Sequence, residues 1–79
     1  GSGPIDSAFN AINLIVGKEF KLVDYSLRSV TEGKDALGEA TVKLKNGGNT
    51  VTGRGVSTDI IEASIKAYIN GVNKLLANV

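Results

Sequence analysis

The hydrophobic pattern of the chain predicts a helix near each end. In residues 4–16, apolar side chains recur at helical spacing and form one stripe: Ile5, Ala8, Phe9, Ile12, Ile15 and Val16. Pro4 suits the first helical position, and Gly17 is typical of a left-handed stop. From about residue 58 to 77 a second stripe follows the same spacing: Ile61, Ile65, Tyr68, Val72 and Leu75, widened by Ile60, Ile69 and Leu76.

Local signals also mark the start of the second helix. Ser57, Thr58 and Asp59 are all competent N-caps, and Asp59 with Glu62 fits a capping box. Gly71 lies inside this helix, where glycine costs about 1 kcal/mol relative to alanine. We interpret Gly71 as a position where another element comes close.

Between the helices the pattern changes to that of strands. Residues 19–30 predict a first strand, but its apolar residues fall on both faces: Phe20 and Leu22 on one, and Val23, Tyr25 and Leu27 on the other. Either a bulge changes the parity of this strand or both of its faces are covered. Residues 37–45 alternate cleanly, which predicts a second strand with one buried and one wet face.

Turn residues separate the strands. Residues 31–35 predict a turn, and residues 46–49, with the sequence Asn-Gly-Gly-Asn, are a strong hairpin signal. Residues 50–54 predict a third, weaker strand, in which Gly53 and the following Gly55 allow a close backbone approach. The predicted fold class is α+β in the order αβββα, with both helices on one face of a three-stranded antiparallel sheet that self-association completes.

A weak internal repeat accompanies this order. Gly1-Ser2-Gly3 precedes the first helix, and Gly53-Arg54-Gly55 precedes the second. If each helix follows a strand that ends in Gly-x-Gly, the repeating unit is three strands and a helix. Residues 1–79 would then be a single subdomain that holds the helix of one unit and all of the next.

Composition bounds the class of protein. A chain of 79 residues allows one domain and buries only roughly 60% of its unfolded surface, so a second copy is the expected supplement to its core. A net charge of +1 without a basic cluster argues against nucleic acid. The longest apolar run, residues 14–16, is too short for a membrane span, and the absence of a secretory signal predicts a cytoplasmic protein.

Catalytic chemistry has few candidate groups. The chain has no histidine to act as a base, no cysteine to act as a nucleophile, and scattered carboxylates, so we expect no active site, metal or cofactor in it. The two Gly-x-Gly helix starts could hold a carboxylate or phosphate on free N–H groups. The small residues Ala36, Gly38 and Ala40 indicate either close helix packing or the floor of a pocket for a small apolar ligand.

Residues 1–9 (GSGPIDSAF), 24–39 (DYSLRSVTEGKDALGE) and 53–64 (GRGVSTDIIEAS) resemble the C-terminal regulatory domain of 2-isopropylmalate synthases. Citramalate synthases share this type of domain. The resemblance implies the second half of a domain that dimerises, binds leucine and inhibits a distant active site, thereby controlling leucine biosynthesis. Catalysis and its divalent metal would belong to an N-terminal barrel outside these residues.

The resemblance also implies a leucine pocket, formed by Gly1, Ser2, Gly3, Ile5, Leu22, Tyr25, Ser29, Ala36, Gly38 and Ile60. Helix-start N–H groups would hold the carboxylate, apolar side chains would surround the isobutyl group, and the small residues would leave space for it. The expected partners are a second copy, as a homodimer or larger assembly, and leucine or a related branched-chain amino acid. Two alternatives stay open: a self-association module that binds no amino acid, and the isoleucine-sensing domain of a citramalate synthase.

Overall fold

A computed structural model describes residues 3–17 and 20–77. The elements are α1 (Pro4–Val16), β1 (Lys21–Glu32), β2 (Asp35–Asn46), β3 (Asn49–Ser57) and α2 (Ile60–Ala77). The strands form one antiparallel sheet in the order β1-β2-β3. The predicted αβββα order and α+β class are confirmed.

Helix α1 has the predicted bounds. It ends at Gly17, which has φ 77° and donates its N–H to the carbonyl of Asn13 at 2.9 Å. The predicted apolar stripe is only partly correct, because Phe9 is buried whereas Ile15 is 85% exposed. The backbone of α1 approaches only α2 among the described elements, so a narrow face of the helix is covered.

The first hairpin is longer than predicted. The turn consists of Gly33 and Lys34 alone, and the pairing of β1 with β2 continues up to Glu32 and Asp35. Gly33 has φ 62°, and a positive φ at the first of two turn residues is the type II′ geometry that joins strands without extra residues. The predicted turn at 31–35 is confirmed in place but was too long, because its outer residues belong to the strands.

A β-bulge resolves the mixed pattern of β1. Leu22 pairs with Leu44, but Asp24 pairs with Lys43, so Val23 is an extra residue. Downstream of the bulge, the alternate residues from Tyr25 onward share the face of Leu22. This face carries the helices and is called the inner face below. The bulge alternative is confirmed.

Strand β3 runs to Ser57 rather than ending at 54, since its pairing with β2 continues to Ser57 and Gly38. The glycines of β3 let α2 lie directly on the strand. A Cβ atom added to Gly53 would lie 2.5 Å from the nitrogen of Gly71, and one added to Gly55 would lie 2.6 Å from the nitrogen of Ala67. The close approach predicted for Gly53, Gly55 and Gly71 is confirmed.

The N-terminus of α2 is capped by one of the predicted residues. Asp59 Oδ1 accepts the N–H of Ile61 at 2.9 Å. The capping box is wrong, since Asp59 donates its own N–H to Ser57 Oγ at 3.2 Å. Glu62 instead pairs with Lys66 Nζ at 3.0 Å, one turn further along the helix.

The predicted stripe of α2 is partly confirmed, since Tyr68, Val72 and Leu75 are buried. Ala63 and Ala67 are fully buried, whereas Ile61 and Ile69 are exposed. Only small side chains fit where a helix lies on a glycine strand, so the larger ones are displaced to the flanks. The described core consists of Phe9, Phe20, Ala40, Val42, Leu44, Ala63, Ala67, Tyr68, Val72 and Leu75.

Candidate functional site

The first hairpin extends past the helices. Strands β1 and β2 have 12 residues each, which makes them roughly 40 Å long, the longest dimension of the molecule. Helix α2 has 18 residues and is roughly 27 Å long. It begins with Ile60 above Gly38, where a Cβ added to the glycine would lie 3.6 Å from Ile60 Cγ1. Residues 29–37 therefore form an overhanging hairpin.

An uncovered stretch of the sheet lies where α2 begins and the overhanging hairpin extends beyond it. Its floor is the inner face of the sheet, where Ser29 pairs with Gly38 and the following alternate position on β2 is Ala36. Leu27 and Ile60, which flank this floor, are 46% and 50% exposed. We call these five residues the open recess. It combines small residues on the sheet with two partly exposed apolar side chains.

A hydrogen-bond chain fixes the start of α2 above the sheet. Ser64 Oγ donates to the carbonyl of Ile60 at 2.8 Å and lies 2.5 Å from the Tyr25 hydroxyl. A serine hydroxyl has one proton, so Tyr25 donates to Ser64. The Tyr25 proton is thus used inside the protein, and Tyr25 acts as a positioning residue beneath the first turns of α2.

An aromatic cluster joins the two helices and β1. The ring of Phe9 stacks on Tyr68 with centroids 4.1 Å apart and meets Tyr25 edge-on at 6.4 Å. Tyr68 donates its hydroxyl to Asn13 Oδ1 at 2.6 Å. Burial raises the pKa of Tyr68, and the bond to Asn13 opposes this rise. Because α2 begins with Ile60 above Gly38, the N-terminus of α2 lies at the overhanging hairpin.

Leu22 lies at the opposite end of the sheet. Its partner Leu44 is six residues from Gly38 along β2, a distance of roughly 20 Å. Leu22 lines a separate cavity of about 240 Å³ with Asp6, Phe9, Asn10, Asn13, Phe20 and Tyr68. A neighbouring groove of about 330 Å³ is lined by Phe20, Lys21, Lys45, Asn46 and Gly47.

Residues 1–76 match the family described as the LeuA allosteric (dimerisation) domain. The chain belongs to this family.

Relatives of this LeuA domain are named 2-isopropylmalate synthase. The protein from Carboxydothermus hydrogenoformans is 64% identical over 77 residues, which cover 96% of this chain and 15% of the relative. The protein from Ruminiclostridium cellulolyticum is 53% identical over 79 residues, covering 100% and 16%. The protein from Brevibacillus brevis is 53% identical over 76 residues, covering 96% and 15%. The chain thus spans about 15% of the length of these relatives.

The LeuA domain brings some of the predicted ligand residues together and separates others. The open recess contains Ser29, Ala36, Gly38 and Ile60. Tyr25 lies under the neighbouring turn of α2, Ile5 packs half-buried against the core, and Gly3 is the extended N-cap of α1. Leu22 is remote within the single chain. Gly1 and Ser2 lie outside the described residues, and all ten ligand assignments stay predictions.

Sequence reasoning missed two residues of this region. Leu27 was hidden by the bulge, because its face depends on the register with β2. Ser64 gave a usable signal, since it is a polar residue on the small-residue face of α2 and is fully buried.

The remaining chemistry of the described chain is sparse. Within residues 3–17 and 20–77, no three acidic, histidine or cysteine side chains lie close enough to hold a metal ion. Neither helix in that part of the chain combines the length and apolar character that crossing a bilayer requires.

Proposed function

We propose that this chain is the leucine-binding, self-associating regulatory domain of a 2-isopropylmalate synthase and has no catalytic groups or cofactor of its own. The open recess carries the proposal. A branched-chain amino acid has an isobutyl-sized apolar part and a charged carboxylate, and the recess offers the partly exposed apolar side chains of Leu27 and Ile60, small residues on the sheet, and the N-terminus of α2.

Exposed apolar surface supports the self-association. Leu14 and Ile15 on α1 are 83% and 85% exposed. The accessible surface is 5011 Å², compared with about 4,500 Å² for a typical monomer of this mass. We attribute the additional accessible surface to the overhanging hairpin and the outer side of α1, which a second polypeptide layer would cover.

Family and size support a role in controlling the parent enzyme. The relatives carry the name 2-isopropylmalate synthase, and this domain is about 15% of their length, so the reaction would take place elsewhere in the full protein. Leucine binding at this domain would then inhibit a distant centre, in the cytoplasm where leucine biosynthesis would occur. The coupling is expected to be about 1–3 kcal/mol, as is usual for allosteric ligands.

Calorimetric titration of the chain with leucine, isoleucine and valine tests the binding. We expect heat with leucine and a higher melting temperature that rises with ligand concentration, by about 2.7 kcal/mol of stability at a hundredfold excess over Kd. Gly38→Val adds methyl groups to the floor of the recess beneath Ile60 and should weaken binding at least tenfold. Thr52→Val, on the outer face of β3, is the matched control and should not change it.

The outcome separates the alternatives. Preference for isoleucine would favour the citramalate synthase branch. No heat with any of the three amino acids, together with a dimer mass, would leave only the assembly role. In the full-length synthase, Gly38→Val should raise the leucine concentration needed for inhibition without changing the uninhibited rate, and a variant that remains normally inhibited would refute the proposed site.

A further inference from the structure

The chain protects one edge of its sheet. On β3, Lys74 Nζ donates to the Thr52 carbonyl at 2.7 Å, and Asn70 Oδ1 accepts the N–H of Arg54 at 3.1 Å. Because a two-residue turn joins β2 to β3, the backbone groups of residues 52 and 54 point away from β2. Two side chains of α2 therefore satisfy the outward-facing groups of this edge.

The edge formed by β1 is open. The two-residue turn at Gly33 and Lys34 directs the N–H and C=O groups of the odd-numbered residues 25–31 away from β2. The N–H of Tyr25 is bonded to Asp24 Oδ1 at 2.9 Å. Among the described residues, no other side-chain hydrogen bond reaches this edge. An open strand edge is a template for a further strand.

We infer that β1 pairs antiparallel with β1 of a second copy about a two-fold axis at Ser26, so that two sheets join into one of six strands. This inference rests on the self-associating part of the proposed function. Charge selects the register, because Asp24 then stands opposite Arg28 of the second copy, and Arg28 opposite its Asp24. On the inner face, Tyr25 and Leu27 of the two copies oppose each other.

Other registers are less favourable. An axis at Arg28 would use every outward-facing residue, but it would place the two Arg28 side chains directly opposite each other, which is destabilising. An axis at Leu27 would place Arg28 opposite Ser26 and lose both charge pairs. With the axis at Ser26, the 70%-exposed Arg28 side chain keeps its 3.0 Å contact with Glu39 and has further N–H groups for Asp24 of the second copy.

The pairing also completes the open recess. With the axis at Ser26, a regular strand would place residue 22 of one copy beside residue 30 of the other. The extra residue at the bulge shifts this pairing by one position, from residue 30 to residue 29. Leu22, which is roughly 20 Å from Gly38 in its own chain, is thereby brought next to Ser29 of the second copy. Each recess would receive an apolar side chain from the partner strand. Five paired residues a side are a small contact, so the association is expected to depend on concentration.

A single cysteine tests the axis. The chain has no cysteine, so Ser26→Cys introduces one thiol. The two-fold places the two copies of residue 26 opposite each other in a non-hydrogen-bonded pair, with Cα atoms about 4.5 Å apart, which a disulfide can span. We expect air oxidation to give a disulfide-linked dimer on a non-reducing gel, whereas the exposed control Thr52→Cys stays single. Equal linking by both variants, or rapid linking by Arg28→Cys instead, would overturn the register.

Charge reversal tests the pairing independently. Asp24→Arg and Arg28→Asp should each raise the dimer Kd about tenfold in sedimentation equilibrium, because each creates two like-charge contacts. An equal mixture of the two variants should recover the wild-type Kd, since the mixed pair has two opposite-charge contacts. Arg54→Asp, on the outer face of β3, is the control without effect. Failure of the mixture to recover would overturn the pairing.

These results separate the inference from the proposed function. A chain that is monomeric at all concentrations contradicts both the self-association and the pairing. A dimer that responds to none of the Ser26, Asp24 and Arg28 variants contradicts the pairing alone, and the titration of amino acids tests ligand binding independently of either.

Discussion

Replacing Gly53 by alanine should separate α2 from the sheet. The added Cβ would lie 2.5 Å from the nitrogen of Gly71 and 2.8 Å from its Cα, and it would overlap the carbonyl oxygen of Ala67. All three atoms belong to the backbone of α2, so no side chain can rotate to make room. Ordinary contact begins near 3.4 Å, so the helix must withdraw by at least about 0.9 Å, the difference between 3.4 and 2.5, because the carbonyl oxygen of Ala67 is closer still.

The cost follows from that displacement. A gap of 0.5–1 Å loses about a quarter to a half of the contact attraction of the atoms that line it. Overpacking usually costs about 1–3 kcal/mol, and contact with two rigid backbones places Gly53→Ala near the upper end, at about 3 kcal/mol. Total stability for a chain of this length is about 4–12 kcal/mol. The melting temperature should therefore fall by about 15 °C.

Thermal unfolding followed by circular dichroism at one fixed protein concentration measures the effect. Gly48→Ala is the matched control, because a Cβ at that turn position meets nothing within 4 Å and its φ is not in the left-handed region. The control should melt at the wild-type temperature or slightly above it. If Gly53→Ala melted within about 3 °C of wild type, the close approach of helix and strand would be refuted.

Three further perturbations have defined outcomes. Burial raises the pKa of Tyr68 above its ordinary value of about 10, so the folded state keeps a proton that the unfolded chain releases. This contribution to stability is complete below pH 10 and is lost as pH rises through the folded pKa. The melting temperature between pH 8 and 11 should therefore fall more steeply for wild type than for Tyr68→Phe. Asn13→Ala removes the acceptor of the Tyr68 hydroxyl and should cost about 1–3 kcal/mol in urea unfolding, whereas the exposed Asn10→Ala should cost little, and equal effects would contradict the assigned bond. Replacing Leu14 and Ile15 by lysine should change the free energy of unfolding by less than about 0.5 kcal/mol under dilute conditions, and a large loss would mean that these side chains are packed within the chain.

Elements with local signals were predictable from the sequence. Helix α1 has both of its predicted bounds, because Pro4 sets its start and Gly17 its left-handed end. The sequence also showed that the apolar residues of β1 fall on both faces of the strand, but it did not show where a bulge would correct this. The choice of Val23 as the extra residue depends on the pairing of Leu22 with Leu44, a contact between residues far apart in the chain.

Features that depend on tertiary packing were predicted poorly. Periodicity selects the large apolar residues of α2, whereas the glycine strand below it selects the small ones, so Ala63 and Ala67 are buried and Ile69 is not. The open recess draws residues from β1, β2 and α2. The run of small residues at 36–40 indicated its floor, while the distance of Leu22 from it followed only from the strand register.

The overhanging hairpin has a consequence for measurement. Its backbone amides lack the cover of α2, so they should take up solvent deuterium faster than the amides of β2 that lie beneath Ala63 and Ala67. Any ligand or second polypeptide that settles on residues 29–37 would slow that uptake. Exchange at this one hairpin would therefore report occupancy directly, residue by residue, without a label on either partner.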